Sequence, residues 1–206
     1  MSDAQPTVYL VDDDASVLKA LRRLLSGAGW SVEAFSSPHE FLDRHRDDVP
    51  GCLVLDVAMP GLNGLELQDA LDARGSLLPI IFLTGRGDIP MSVRAIKRGA
   101  VDFLTKPVDS EDLFAAIRAA LGKGQALREA RAEMDVIERR LAALTPRERE
   151  VLAHIVSGRL NKQIAADLGT VEKTIKVHRA RVMEKMQVRS LAELVRLAER
   201  AGIKSP

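Results

Sequence analysis

The chain has 206 residues, of which 46% are hydrophobic and 29% are charged, the balance of an ordinary globular protein. No apolar run approaches the roughly 18 residues that a membrane span requires, so no membrane partner is expected. The N-terminus lacks the basic and apolar regions of a signal peptide, and the single cysteine, Cys52, has no second cysteine for an internal disulfide. These features predict a cytoplasmic protein, and the length allows one large domain or two small ones.

Charge is distributed unevenly along the chain. Residues 1–122 carry 12 Lys and Arg against 18 Asp and Glu, a net charge of −6, whereas residues 123–206 carry 18 against 11, a net charge of +7. A basic half is typical of proteins that bind nucleic acid, although a solvated face can have the same composition. The two halves are therefore expected to serve different partners.

Strand and helix patterns alternate five times in the first half. Short apolar or β-branched runs predict the strands, and apolar residues at helix spacing predict the helices between them. The predicted strands are 7–11, 31–35, 52–56, 79–85 and 101–105, and the predicted helices lie near 17–25 and at 38–46, 64–73, 88–98 and 110–121. This alternation predicts a parallel sheet that is covered by helices on both faces.

Polar residues follow the carboxyl ends of four of these strands. They are Asp12, Asp13, Asp56, Thr84 and Lys106. Such strand ends form the rim where open α/β sheets bind ligands, and clustered carboxylates there suit Mg²⁺. Asp56 could attack a phosphoryl group to form an aspartyl phosphate, while Lys106 and Thr84 hold its remaining oxygens. Each residue alone could equally be an ordinary surface residue, but their coincidence at matching strand ends favours a phosphorylation site.

Several short motifs surround these residues. They are Leu10-Val11-Asp12-Asp13, Leu55-Asp56 followed by Met59-Pro60-Gly61 and Gly64, Leu83-Thr84-Gly85, and Asp102-Phe103-Leu104-Thr105-Lys106-Pro107. With them, residues 5–122 resemble a CheY-like receiver domain of a two-component response regulator. The resemblance implies a doubly wound five-stranded parallel sheet in the order 2-1-3-4-5.

The same resemblance implies a role for each site residue. Asp56 would be the phosphoacceptor, and Asp12, Asp13, Asp56 and the Ala58 carbonyl would bind Mg²⁺. Thr84 would be the switch hydroxyl, Lys106 would pair with the phosphate, and the peptide before Pro107 would be cis. Phe103 stands where many receivers carry a switch tyrosine, so it can change position but has no hydroxyl group.

The segment that follows, residues 122–144, consists almost entirely of good helix formers. Its apolar residues recur at the spacing of a heptad stripe: Leu127, Ala130, Met134, Ile137, Leu141 and Leu144. The stripe could form a short coiled coil with a second chain or pack on one of the chain's own domains. Gly122 and Gly124 would weaken a continuous helix, which predicts a hinge there.

Four helices are predicted in the second half. Thr145-Pro146-Arg147-Glu148 begins a helix that runs to about Ser157, and the others are 161–168, 172–186 and a last helix from the Ser190 cap to about Ala201. A short helix, a glycine-containing turn and a longer basic helix are typical of a helix-turn-helix. The predicted DNA contacts are Lys162, Lys173, Thr174, Lys176, Val177, Arg179 and Arg181. The last helix has excess apolar surface, so Leu191, Leu194, Val195 and Ala198 are the predicted dimer contacts, with core packing as the alternative.

Residues 141–203 are similar to the DNA-binding domain of FixJ/NarL (LuxR-type) regulators. The similarity rests on residues 144–152, Asn161-Lys162-Gln163-Ile164-Ala165, Leu168-Gly169 and residues 172–179. One departure is Thr170-Val171, where the family usually has a serine or similar cap. Either Thr170 caps the helix one residue early or its first turn frays.

Together these resemblances predict a FixJ-type response regulator with a receiver at 1–122, a helical linker at 123–143 and a four-helix DNA-binding domain at 144–206. The expected partners are a sensor histidine kinase, promoter DNA with inverted half-sites and RNA polymerase, and a homodimer is expected on phosphorylation. No enzymatic activity is expected beyond the receiver's own phosphorylation and dephosphorylation. Two alternatives are a phosphate sink with vestigial DNA binding and a constitutive DNA-binding protein whose receiver is a scaffold.

Overall fold

A computed structural model describes residues 5–46, 49–85 and 89–203. The chain divides into two compact units, residues 1–128 and residues 129–206, and the boundary falls inside the predicted linker. None of the helices in the described ranges has the length and apolar character that crossing a bilayer would require.

Unit 1 contains a five-stranded parallel sheet in the order β2-β1-β3-β4-β5, which confirms the predicted doubly wound fold. The predicted fourth helix is described from Ile89 onward, and Asp88 lies outside the described residues. The elements are β1 (Thr7–Val11), α1 (Ala15–Gly27), β2 (Ser31–Phe35), α2 (Pro38–Arg44), β3 (Gly51–Asp56), α3 (Gly64–Ala73), β4 (Ile80–Thr84), α4 (Ile89–Lys97), β5 (Asp102–Thr105) and the first part of α5 (Ser110–Ala142).

The three central strands are buried on both faces. Successive side chains of β1, β3 and β4 point to opposite sides, so Tyr9, Leu53 and Phe82 pack in one layer while neighbouring residues such as Cys52 and Ile81 pack in the other. Burial raises the pKa of the Cys52 thiol to about 12, so this residue packs as a small apolar group. On β2, by contrast, only Phe35 is fully buried, as expected of an edge strand.

Helix α5 runs from Ser110 to Ala142 without a break at Gly122 or Gly124, where the sequence predicted a hinge. Gly124 is buried, and a Cβ atom there would lie 2.9 Å from Cγ of Pro79. The glycine therefore allows close approach of the helix to the segment before β4.

Unit 2 consists of the end of α5 and four further helices around one core. The helices are α6 (Pro146–Val156), α7 (Asn161–Asp167), α8 (Glu172–Lys185) and α9 (Leu191–Arg200). Leu141 and Leu144 of the heptad stripe belong to this core, and Ile137 is also buried. The sequence left two interpretations of the stripe, a coiled coil with a second chain or packing on one of the chain's own domains. The C-terminal half of the stripe packs within unit 2.

Side chains of unit 2 also tie the end of α5 to the later helices. A guanidinium nitrogen of Arg140 donates a hydrogen bond to the carbonyl oxygen of Met186, 3.1 Å away. The guanidinium of Arg200 pairs with both carboxylate oxygens of Glu133, and its Nη2 lies 2.7 Å from Oε2. The end of α5, at least from Glu133 onward, is therefore part of unit 2.

The first turn of α8 has no side-chain cap. Val171 occupies the N-cap position, and Thr170 does not cap the helix one residue early. The backbone N–H groups at this end are therefore not capped by the side chain of the N-cap residue.

Candidate functional site

The strand ends of unit 1 bring together most of the polar residues that the sequence singled out. Val11 pairs with Leu55 across β1 and β3, and Asp56 pairs with Leu83 across β3 and β4, so the carboxyl ends of these strands are level. Asp12, Asp56 and Thr84 stand at this edge, and each is at most 6% exposed.

Lys106 joins two of these residues into one cluster. Its Nζ lies 2.5 Å from Oδ2 of Asp12 and 2.6 Å from Oδ1 of Asp56, and its side chain is 22% exposed. We call Asp12, Asp56 and Lys106 the acidic site. Two carboxylates share one ammonium group, so with all three groups ionised the site has an excess of one negative charge.

The environment changes the pKa of two members of this site. Burial raises the pKa of Asp12, and the opposing hydrogen bonds from Lys106 and from the Asp14 N–H do not cancel the effect. Burial by itself would lower the pKa of Lys106, but the hydrogen bonds and charges of Asp12 and Asp56 outweigh it and raise that pKa. Lys106 therefore remains a cation at neutral pH.

Local structure fixes the position of Asp56. Its Oδ2 accepts a hydrogen bond of 2.8 Å from the Ala58 N–H. A Cβ atom on Gly64 would lie 2.4 Å from the Asp56 carbonyl oxygen, so only glycine lets α3 begin this close to the strand end. Asn63 and Glu66 form a capping box that starts α3 at this point.

The acidic site fits the donor set that Mg²⁺ prefers. Mg²⁺ is usually held by one or two carboxylates and keeps several waters, and Asp12 and Asp56 offer only oxygen ligands. Asp13, predicted as a further ligand, is exposed, and no group of three acidic, histidine or cysteine side chains within the described ranges is placed to hold a metal ion. The neighbouring Asp14 instead caps α1 through the N–H groups of Ser16 and Val17.

The predicted switch residues lie on the adjoining strands. The Lys106 N–H donates a hydrogen bond of 2.7 Å to the Thr84 carbonyl, which ties the end of β5 to that of β4. Phe103 is half-buried, with its ring centroid 6.1 Å from that of Phe82. The peptide between Lys106 and Pro107 is cis, as the resemblance implied.

In unit 2, helix α8 presents an exposed basic face. Lys173, Lys176 and Arg181 are exposed, and Val177 between them is 45% exposed. Thr174 is half-buried at the border of this face, and Lys162 is exposed on α7. Arg179 is not on this face: it is half-buried and lines a separate cleft with Leu160 and Leu191.

The predicted dimer contacts on α9 need a correction. Leu194 and Ala198 are fully buried within unit 2, so they fill the core and present no surface to a second chain. Leu191 is 45% exposed and Val195 is half-buried. Helix periodicity identified the apolar face of α9 but could not tell which part of it the rest of the unit covers.

A buried ion pair escaped the sequence analysis. Glu148, on the first turn of α6, is 2% exposed, and its Oε2 lies 2.6 Å from Nζ of Lys185 at the end of α8. The hydrogen bonds from Lys185 and from the Thr145 N–H lower the pKa of Glu148 to about 2. Glu148 was recognisable only as part of a helix start, because its partner lies 37 residues away in the chain.

Comparison with known proteins matches both units to described families. Residues 8–118 match the response regulator receiver domain, and residues 142–198 match the bacterial regulatory proteins of the luxR family. The chain is 46% identical over 200 residues to the response regulator protein TodT of Pseudomonas putida, covering 97% of this chain and 88% of TodT. It is 44% identical over 196 residues to the transcriptional regulatory protein FixJ of Bradyrhizobium diazoefficiens, covering 95% of this chain and 96% of FixJ.

Solved structures give the same result over nearly the whole chain. The response regulator StyR matches with a TM-score of 0.84 and 49% identity, covering 96% of this chain and 100% of StyR. Full-length FixJ from B. japonicum matches with a TM-score of 0.59 and 44% identity, covering 97% and 98% of the two chains.

Proposed function

We propose that a sensor histidine kinase phosphorylates Asp56, because the chain belongs to the two-component response regulators. Members of this type join a receiver domain to a LuxR-type helix-turn-helix, so the chain is a phosphorylatable transcriptional regulator. The observation that carries this proposal is the position of Lys106, whose Nζ lies within 2.6 Å of both Asp12 and Asp56. A buried carboxylate beside a second carboxylate and a fixed cation is suited to accept a phosphoryl group.

The chemical step follows from this geometry. A carboxylate oxygen of Asp56 attacks the phosphorus of the kinase's phosphohistidine, so an O–P bond forms while the P–N bond breaks. The imidazole leaves and takes up a proton. Lys106 is then free to pair with a phosphoryl oxygen, and its raised pKa keeps it charged for that role. We propose no catalytic activity beyond this reaction and the hydrolysis of the aspartyl phosphate, in which water attacks the phosphorus, inorganic phosphate leaves and the Asp56 carboxylate is restored.

The oxygen ligands of the acidic site support a requirement for Mg²⁺, which Asp12, Asp13, Asp56 and the Ala58 carbonyl would hold. When bound, the ion would neutralise charge on the phosphoryl oxygens. The excess negative charge of the site favours this role, because a second cation balances the two carboxylates and the incoming group.

Phosphorylation adds about two negative charges at the end of β3. We expect the hydroxyl of Thr84 to move toward the new oxygens and Phe103 to repack, which alters the surface around α4 and β5. In the proposed regulator, which acts in the cytoplasm, this change promotes formation of a homodimer. The dimer binds two DNA half-sites that are a whole number of helical turns apart. RNA polymerase is a further candidate partner on the promoter.

The exposed face of α8 supports the DNA-binding role. Lys173, Lys176 and Arg181 can contact phosphates or guanine edges, and the exposed methyl groups of Val177 can contact a thymine methyl. Lys162 at the start of α7 and Thr174 are candidates for backbone contacts. Arg179 lies off this face and is no longer among the proposed DNA contacts. The buried Leu194 and Ala198 are no longer among the proposed dimer contacts.

Light scattering with Mg²⁺ and the phosphoryl mimic beryllofluoride tests the proposal. The wild-type chain is expected to change from monomer to dimer when the mimic is added, whereas Asp56→Asn stays monomeric under the same conditions. DNA binding measured on the same samples should strengthen only in the wild type. An unchanged oligomeric state together with unchanged DNA affinity would contradict the proposal.

A further inference from the structure

A basic cleft in unit 2 belongs to none of the sites described so far. It lies between the end of α5 and the end of α8, has a volume of about 300 Å³ and is lined by Val136, Arg139, Arg140, Ala143, Lys185 and Gln187. We call it the linker cleft. Three of its six lining residues are cations and none is acidic.

Little of the positive charge in the linker cleft is neutralised within the described part of the chain. Arg139 is exposed and makes no ion pair there, because Asp135, one turn earlier, pairs with Arg131 at 3.2 Å. Among the described residues, Arg140 bonds to the neutral carbonyl of Met186 and makes no ion pair. Lys185 pairs with Glu148, so it contributes little net charge to the cleft.

The backbone of Gln187, on the wall of the cleft, has an unusual conformation. Gln187 follows the end of α8 with φ 53°, the only positive φ of a non-glycine residue in the described ranges. At the corresponding place six other helices have glycine: Gly29, Gly75, Gly99, Gly158, Gly169 and Gly202. A side chain in this conformation is disfavoured, and such strain is typical of functional positions. Glutamine here provides an amide group on the wall of the cleft.

The position of the cleft indicates its ligand. Lys185 follows Arg181 by one helical turn, so the cleft continues the side of α8 on which Arg181 lies, at the border of the exposed basic face. A DNA strand passing along that face could therefore reach the two arginines, whose planar N–H groups match phosphate oxygens.

We propose that the linker cleft binds a phosphate group through Arg139, Arg140 and Gln187, and that this phosphate belongs to the DNA backbone beside the half-site. The inference rests on the DNA-binding role proposed above and extends it to the last turn of α5. A free phosphorylated small molecule is the other source of the same chemistry. In either case the end of the linker takes part in binding and does more than connect the two units.

The salt dependence of DNA binding distinguishes these possibilities. The full-length wild type, Arg139→Gln and Arg140→Gln are titrated with a mixed-sequence duplex of about 30 base pairs over a range of salt concentrations. Each arginine that neutralises one phosphate should account for about 1 in the slope of log K against log salt, and its loss should weaken binding about 5- to 10-fold. Arg196→Gln is the matched control: Arg196 is exposed on α9, makes no ion pair among the described residues and does not line the cleft, so its loss should leave the slope unchanged.

A second titration addresses the small-molecule source, with inorganic pyrophosphate as the probe in calorimetry without Mg²⁺. A reduced salt slope in the cleft variants assigns the cleft to DNA. An unchanged slope with pyrophosphate binding lost only in the cleft variants assigns it to a free phosphorylated ligand. If both measurements match the Arg196→Gln control, the cleft binds no phosphate and the inference is wrong.

Two features keep these outcomes separable. Arg139 is exposed and unpaired among the described residues, so Arg139→Gln should fold like the wild type even if Arg140→Gln loses its bond to Met186 and unfolds more easily. A wild type that binds no duplex even with Mg²⁺ and beryllofluoride would contradict the proposed function itself, and the pyrophosphate titration would then decide the cleft separately.

Discussion

Each unit contains a buried cluster of acidic and basic side chains, but the two clusters differ in their charge balance. In unit 1, Lys106 lies between two carboxylates, Asp12 and Asp56, and one negative charge is left over. In unit 2, Glu148 has one partner cation, Lys185, and its remaining hydrogen bond comes from the backbone of Thr145. The first cluster can still accept a positive charge, whereas the second is complete.

This difference separates a reactive site from a structural one. A buried ion pair whose groups are all satisfied holds two elements together, here the start of α6 and the end of α8. A cluster with surplus charge holds its elements less well, because like charges are kept close in a poorly hydrated place. That surplus is what a metal ion and an electrophilic phosphoryl group can relieve. Substitutions in the two clusters are therefore expected to have different effects.

The largest effect is expected from Asp56→Asn in the acidic site. An amide nitrogen or oxygen does not replace the attacking carboxylate, so phosphorylation by acetyl phosphate should fall at least about 100-fold. A gel that retards phosphorylated protein measures this. Glu148→Gln makes the same type of change in the Glu148–Lys185 pair and should leave phosphorylation at the wild-type level. Similar losses in both variants would show that the two clusters do not differ in reactivity.

Lys106→Met should destabilise unit 1 by about 3 kcal/mol, because Asp12 and Asp56 are then buried together without a cation. Urea unfolding followed by the fluorescence of Trp30, which packs against Phe114 in this unit, reports the change. Combining Asp56→Asn with Lys106→Met should recover more than half of the lost free energy. No recovery would mean that the lysine stabilises the unit by packing and not by charge.

Glu148→Gln should lower the free energy of unfolding of unit 2 by about 1–2 kcal/mol at pH 7. The folded-state pKa of Glu148, about 2, is below the ordinary value of 4.5, so the carboxylate stabilises the fold above pH 4.5 and loses this effect as the pH falls toward 2. The difference between the variant and the wild type should shrink through that window, as measured by urea unfolding with circular dichroism at 222 nm.

The exposed Glu150 is the matched control for this variant, because its side chain is 52% exposed and pairs only with Arg147 at the surface. Glu150→Gln should cost less than about 0.5 kcal/mol at every pH. Equal effects of the two substitutions would show that burial does not distinguish Glu148.

The smallest expected effect is a gain. Gln187→Gly relieves a positive φ and should stabilise unit 2 by about 0.5–1 kcal/mol, even though it removes a side chain from the linker cleft. The converse change, Gly169→Ala, introduces a side chain at φ 60° with no neighbour within 4 Å and should cost about 1 kcal/mol. A loss of stability in Gln187→Gly would mean that the glutamine is retained for the fold and not for a ligand.

The sequence by itself predicted the acidic site well, for a simple reason. The carboxyl ends of parallel strands meet at one edge, so recognising the strands that precede Asp12, Asp56, Thr84 and Lys106 also places these residues together. The exposed face of α8 followed in the same way from helix periodicity, which separates Lys173, Lys176 and Val177 from the core residue Ile175.

Other features were decided only by tertiary contacts. Periodicity shows that a helix face is apolar but not what covers it, so the linker stripe and the apolar face of α9 both remained ambiguous until Ile137, Leu194 and Ala198 proved to be buried. Composition treats a glycine in a helix as a weak point, whereas Gly124 is needed for contact with Pro79.

The pairings across long sequence separations belong to the same class. Glu148 meets Lys185, and Arg139 lines a cleft with Gln187, only because α6, α8 and the end of α5 pack around one core. The sequence thus determined which residues end the strands and which face of each helix is polar, since these follow from the local backbone repeat. What each face meets depends on the packing of distant elements, and only the tertiary structure could decide it.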